Sequence, residues 1–304
     1  MTTTAARPLV GILLMVLFCA LAPLGDSMAK LLGESVPLFQ LLVVRFAAQA
    51  GLLLPIVWWS GLSLAMSRRV FALTALRTLF HIAGIGAMFA ALRYLPLADA
   101  VAIAFVMPFI MLALGKMVLN EDIGPRRLAA CVVGFVGTLL VVQPRFVEVG
   151  LPALLPLGVA LAFALYMMVT RQIAHATDPI SMQAVSGLMA SAGFALLALA
   201  TAGLDLPALA FIAPSPRDVA LLATLGVLGT LAHLVMTWAL RYAPSATLAP
   251  IQYLEIPFAT LIGWLIFRDL PNGLAALGIV VTMAAGLYIV FRERAIARPL
   301  PPET

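Results

Sequence analysis

Ala91-Leu92-Arg93-Tyr94-Leu95-Pro96-Leu97-Ala98 returns 148 residues later as Ala239-Leu240-Arg241-Tyr242-Ala243-Pro244-Ser245-Ala246. Beyond it, Pro108-Phe109 is answered by Pro257-Phe258 and Gly137 by Gly286, both at a spacing of 149, so one residue has been inserted between. Matches at several positions in one register point to an internal duplication rather than to convergence of two short helix–turn segments.

The surrounding sequence is far more apolar than a soluble domain. Of its 304 residues 63% are hydrophobic and 10% charged, with a mean hydropathy of +1.11; soluble domains run near ~45–50% and ~25%. A single soluble core stops growing near ~250–300 residues and still needs a charged shell, whereas a lipid-facing surface does not. A spanning helix takes about 20 mostly apolar residues. Polar and Pro/Gly punctuation then divides the chain into runs at 8–32, 37–59, 69–92, 97–118, 126–143, 151–174, 180–203, 217–240, 246–267 and 274–291. The connections are short, the longest being 201–216, and no soluble domain fits between them. The first run carries a signal-like Ala20-Leu21-Ala22 but continues through Asp26, so it reads as a retained helix. Cys19 and Cys131 lie inside apolar runs and read as unreactive buried thiols.

The formal net charge is +5, and the basic residues stand at the ends of apolar runs, which suits cytoplasmic loops and not nucleic acid. With the amino terminus inside, the cytoplasmic side receives twelve Lys and Arg: Arg7, Arg68, Arg69, Arg77, Lys116, Arg126, Arg127, Arg171, Arg241, Arg292, Arg294 and Arg298. The other side receives five, namely Lys30, Arg93, Arg145, Arg217 and Arg268, with Arg45 left within a helix. Both termini are therefore expected in the cytoplasm of a cell with this protein in its inner membrane. Five helices per half is an odd number, so the second half enters the membrane upside down, with Arg93 outside and Arg241 inside. The expected fold class is an all-α membrane protein of ten transmembrane helices in two inverted five-helix repeats, 1–145 and 146–304. Such repeats are common in secondary transporters, whose substrates sit near the midplane between them.

In the order of these elements the chain resembles the EamA branch of the drug/metabolite transporter superfamily. The likeness rests on the apolar runs, the duplicated small residue–turn proline–apolar-x-Pro-aromatic pattern, and Leu254-Glu255-Ile256-Pro257-Phe258, which is similar to the family's ninth helix. An acidic residue after the fourth run, Glu121 or Asp122, has Asp269 as its match in the second half. The resemblance implies alternating access by a metabolite carrier, without naming a substrate. Asp26, Lys30 and Arg45 together resemble the branch containing S-adenosylmethionine uptake carriers.

Charges at membrane depth cost at least ~2.5–3.5 kcal/mol on insertion scales and normally face a cavity or a partner. Glu255, two residues before helix-breaking Pro257, reads as a substrate-contacting or proton-binding carboxylate, with a buried structural ion pair as the alternative. Gln252, three residues earlier, shares its face. Asp26 and Arg45 lie ~9 and ~12 Å from the same end of their runs, a depth that allows a salt bridge or an outer gate, and Lys30, one turn beyond Asp26, could compete for the carboxylate. Arg77 and His81 share a face of the third run; the arginine either holds a substrate anion or snorkels to the surface, and the histidine contacts substrate or bonds within the core. His233 is open to the same two readings. Tyr166, Gln183, Thr230 and Tyr253 are candidate cavity residues, Trp238 and Trp264 candidate interfacial anchors, and Met107, Met111, Met167 and Met168 candidate pliable wall. Gly84, Gly134, Gly137 and Gly278 read as close-packing positions.

These features favour a secondary transporter of a small, charged or zwitterionic, amino-acid- or nucleoside-like metabolite. An enzyme would need a convergent catalytic set, and a channel would need polar rings or filter loops; neither pattern is in the sequence. The expected partners are the substrate, a proton as candidate coupling ion, and the lipid bilayer. No cofactor, metal or nucleic acid is expected, and monomer and homodimer stay open.

Overall fold

The computed structural model describes residues 8–107, 109–110, 114, 125–204, 206–243, 248 and 251–296. Arg7, Pro108, Met111, Lys116, Glu121, Asp122, Pro244 and Arg298 lie outside the described residues. Apolar runs emerge as helices, the runs 97–118 and 246–267 only in part among the described residues: α1 (Pro8–Leu32), α2 (Leu38–Trp59), α3 (Arg68–Ala91), α4 (Leu97–Ala104), α5 (Pro125–Val149), α6 (Leu155–Ile173), α7 (Pro179–Ala200), α8 (Pro216–Tyr242), α9 (Glu255–Phe267) and α10 (Gly273–Ile296). Among the described residues seven segments are long and apolar enough to cross a membrane, while Glu255–Phe267 and Gly273–Ala285 are apolar but shorter.

Helix starts follow local chemistry. Asp178 accepts the Ile180 amide ahead of Pro179, and Ser215 forms a capping box with Asp218 ahead of Pro216. Each pairing satisfies an orphan amide while proline takes a position whose N–H would be unused.

The core is largely apolar, but arginines are buried in it and large apolar side chains cover the surface. Arg45 and Arg77 are 1% and 0% exposed, while Leu199 is 73% and Phe291 66% exposed. An apolar exterior, with the charged side chains of the spans turned inward, is what a bilayer solvent selects, and this is a multi-pass membrane protein.

The helices pack as crossed pairs, each drawing one helix from either side of residue 150: α1 on α8, α3 on α6, α2 on α7, α4 on α9 and α5 on α10. Small residues let the backbones approach. A Cβ on Gly137 would meet Gly278 O at 2.9 Å, one on Gly278 would meet Gly137 O at 2.5 Å, and one on Gly187 would meet Ala50 N at 2.8 Å. Gly84 likewise faces the Phe163 ring, and Gly134 faces Phe109. Close packing of this kind substitutes for the hydrophobic drive that lipid removes.

The two copies of the opening motif lie at opposite ends of α1. Arg93 Nη2 donates to Val36 O at 2.9 Å, and its stem packs by Gly33, just past the end of α1. Ala239 and Ala243, which flank Arg241, pack on Gly11 in the first turn of α1. A helix of 25 residues separates them, about 37 Å at 1.5 Å per residue.

Candidate functional site

α4 stops at Ala104 and gives way to a turn at Phe105 and Val106, and α9 starts at Glu255 after a turn at Tyr253 and Leu254. Proline lacks an N–H and its ring clashes with the carbonyl four residues back. Those carbonyls belong to Ala104 for Pro108 and to Tyr253 for Pro257, so each interruption falls where the sequence puts its proline. Glu255 thus becomes the first residue of a helix, an end at which the peptide dipoles favour negative charge.

The interruptions border a cavity between the halves with about 80 Å³ of room for water centres. That holds several waters at roughly 10–15 Å³ each, but falls short of the ~300–1,000 Å³ of ligand pockets. Asp26 of α1, Arg45 of α2, His233 of α8, Gln252 and Glu255 of α9 supply its polar wall. Phe18, Phe89, Phe105 and Phe163, with Met88, Met107, Met167 and Met236, supply its aromatic and thioether side chains.

Neither the Asp26 nor the Glu255 carboxylate makes a hydrogen bond or ion pair with the described residues, and the two lie within Coulombic range of each other. Arg45 attracts Asp26 electrostatically but does not bridge to it. Its guanidinium donates instead to Gln49 Oε1 at 3.1 Å and Gly229 O at 2.6 Å, and lies 3.2 Å from His233 Nδ1. Cys19 Sγ lies 3.4 Å from Ile251 O, where it meets a carbonyl at the helix interruption.

The other sequence candidates lie elsewhere. Lys30 does not compete for Asp26: its ammonium is 3.1 Å from both Asp269 Oδ2 and Leu95 O, above the Phe267 ring. Arg77 neither snorkels nor reaches the cavity. It is fully buried and bonded to Thr170, Ser186, Tyr166 and Thr237. Tyr166 is absorbed by that contact, at 2.5 Å. His81 is also off the cavity wall, packed on Phe46, Tyr166 and His233 with ring centroids 5.0, 4.8 and 4.3 Å away. Tyr253 packs on Phe105 at 5.2 Å. Trp238 is packed among α2 and α7 residues rather than at an exposed edge, while Trp264 is exposed.

Sequence reasoning passed over Gln49, Thr170, Ser186 and Thr237, which with Gln183 knit α2, α6, α7 and α8 together. Their only mark in the sequence is a polar side chain inside an apolar run. Met88 and Met236, also passed over, stand 148 residues apart and both line the cavity.

The sequence model for the EamA-like transporter family matches residues 9–143 and again 150–292. An S-adenosylmethionine uptake transporter of Rickettsia prowazekii (strain Madrid E) is 27% identical over 93% of each chain. A riboflavin transporter of Rhizobium johnstonii is 30% identical over 69% of this chain and 67% of its own. A crystal structure aligns with a TM-score of 0.63 at 18% identity, covering 95% of this chain and 98% of that one, a likeness of fold alone. The chain therefore belongs to the EamA-like transporter family and is a small-metabolite transporter rather than an enzyme.

Proposed function

We propose that this protein is an inner-membrane secondary carrier of ten spanning helices, in which two inverted five-helix repeats, 1–145 and 146–304, rock about the central cavity. The cavity is the substrate site, and both termini are cytoplasmic. Two features support the inverted arrangement. The pairing of α1 with α8 repeats as α6 with α3 when the halves are exchanged, and the two motif copies sit at opposite ends of α1.

The observation that carries the substrate reading is the pair of carboxylates. Asp26 from the first half and Glu255 from the second open into one cavity without a partner among the described residues. Two unpaired carboxylates in a low-dielectric site favour a cation between them. The substrate class is thus a cationic or zwitterionic metabolite with an apolar or aromatic body, lying against the phenylalanines and methionines. Arg45, whose donors face Gln49, Gly229 and His233, orients the site more than it binds an anion. Of the two substrates named for the relatives, S-adenosylmethionine carries a sulfonium that suits the carboxylates, while riboflavin, which is uncharged, suits the aromatic wall alone. A proton is the natural occupant of Glu255 when substrate is absent. The small cavity corresponds to a closed state that must widen to admit cargo.

The deciding experiment is uptake into proteoliposomes from a panel of sulfonium, flavin, amino acid and nucleoside compounds, with Glu255→Gln and Asp26→Asn alongside the parent. Loss of cation transport in both variants, with a flattened pH dependence in Glu255→Gln, is the expected result. Parental rates and parental pH dependence in both would end the reading.

A further inference from the structure

The two ends of the cavity are closed by different chemistry. Toward the end of α1 an apolar cluster of Leu32, Phe39, Phe194, Leu222 and Leu225 forms the plug, and the charges beside it are paired, Lys30 with Asp269 and Arg145 with Asp99. Toward the start of α3 it is polar, and Arg77 is its centre. Arg77 Nε donates to Thr170 Oγ1 and Nη1 to Ser186 Oγ, each at 2.7 Å; Nη2 donates to the Tyr166 hydroxyl at 2.5 Å and to Thr237 Oγ1 at 3.5 Å. All four acceptors belong to α6, α7 and α8, whereas Arg77 stands on α3, so every bond crosses between the halves. No carboxylate lies within ion-pair distance among the described residues. The residue 148 positions after Arg77 is Leu225, a member of the apolar plug. One copy of the duplicated fold thus has arginine where the other has leucine.

A buried guanidinium held by neutral hydroxyls and by the Tyr166 ring, 4.5 Å beneath it, has given up hydration without gaining a counter-charge. Water entering that end restores what was lost, whereas water entering the other end meets charges that already have partners and exposes hydrocarbon. We infer that Arg77 is a positioning residue that sets how readily the carrier opens on the side from which α3 starts, cytoplasmic by the charge bias. Its charge drives that end open, and the four hydroxyls hold it shut. The inference rests on the alternating-access reading, but not on which compound is carried.

The test uses the full chain with Cys19→Ser and Cys131→Ser, and Met88→Cys as a reporter on the cavity wall. Its labelling in proteoliposomes by a membrane-impermeant maleimide is timed from each side without substrate. Tyr166→Phe combined with Ser186→Ala keeps the charge and removes two acceptors. It should raise the labelling rate from the α3-start side by about tenfold or more, the equivalent of losing a charge-assisted hydrogen bond, and leave the other side unchanged. Arg77→Met, which removes the charge, should bring the rate below the parent's. Should the double variant fail to fold, as judged by thermal melting in detergent, the near-isosteric Thr170→Val carries the same expected sign. Changes on both sides, no change on either, or the same sign for acceptor loss and charge loss would overturn the inference. Because labelling needs no cargo, it stays readable even if Glu255→Gln transports normally and the substrate reading fails.

Discussion

Asp26 and Lys30 stand one turn apart on α1, yet the carboxylate opens into the central cavity while the ammonium reaches across to Asp269, 3.1 Å away. One helical face therefore serves both the cavity and a contact between the halves, since Lys30 belongs to the first half and Asp269 to the second.

Lys30 and Asp269 side chains are 19% and 38% exposed, so the pair should contribute modestly to stability, within about 1 kcal/mol. Lys30→Met is expected to leave the melting temperature in detergent nearly unchanged while altering uptake. The reversed pair Lys30→Asp with Asp269→Lys should recover uptake if the contact itself matters. Failure to recover, with folding intact, would assign Lys30 to its Leu95 carbonyl and Phe267 contacts instead.

Gly229 offers a sharp test of Arg45. A Cβ at Gly229 would land on the Arg45 guanidinium, whereas one at Gly25 would come no nearer than 3.8 Å to Leu228 Cβ. Gly229→Ala should displace Arg45 from Gly229 O and His233 and cut transport by about tenfold or more, the scale of one hydrogen bond to a charged group. Gly25→Ala, on the same cavity wall, should transport near the parental rate. Equal activities in the two variants would remove Arg45 from the site.

At the α5–α10 crossing, Gly137→Ala sets a methyl 2.6 Å from Thr282 Oγ1 and 2.9 Å from Gly278 O. Overpacking of this kind destabilises by about 1–3 kcal/mol, so the melting temperature should fall. Gly158→Ala, with nothing within 4 Å of its Cβ, should melt as the parent does.

Cysteines placed singly at Arg93 and Arg241, in a chain lacking Cys19 and Cys131, should be labelled from opposite aqueous compartments. Labelling of both from the same side would dismantle the inverted-repeat proposal and the orientation with it.

Hydropathy and punctuation made the helices readable. The run 8–32 became Pro8–Leu32, and the runs opened at 180 and 217 start one residue earlier, at Pro179 and Pro216, where caps from Asp178 and Ser215 depend only on neighbouring residues. The interruption before Glu255 was also legible, because a proline acts on its own chain four residues back. The facing of Arg77 and His81 was not. α3 is apolar on nearly every side, so no stripe in its sequence tells which neighbour a given side chain meets. Its partners Tyr166, Thr170, Ser186 and Thr237 lie 89 to 160 residues away in the chain. Lys30 was misdirected for the same reason: its local candidate was four residues off and its actual one 239.

The seat of Gly137 against Gly278, backbone on backbone, has a mechanical meaning. Helices meshed that closely have no slack in which to slide, so in the proposed rocking of the halves α5 and α10, one from each, would have to turn as a single piece.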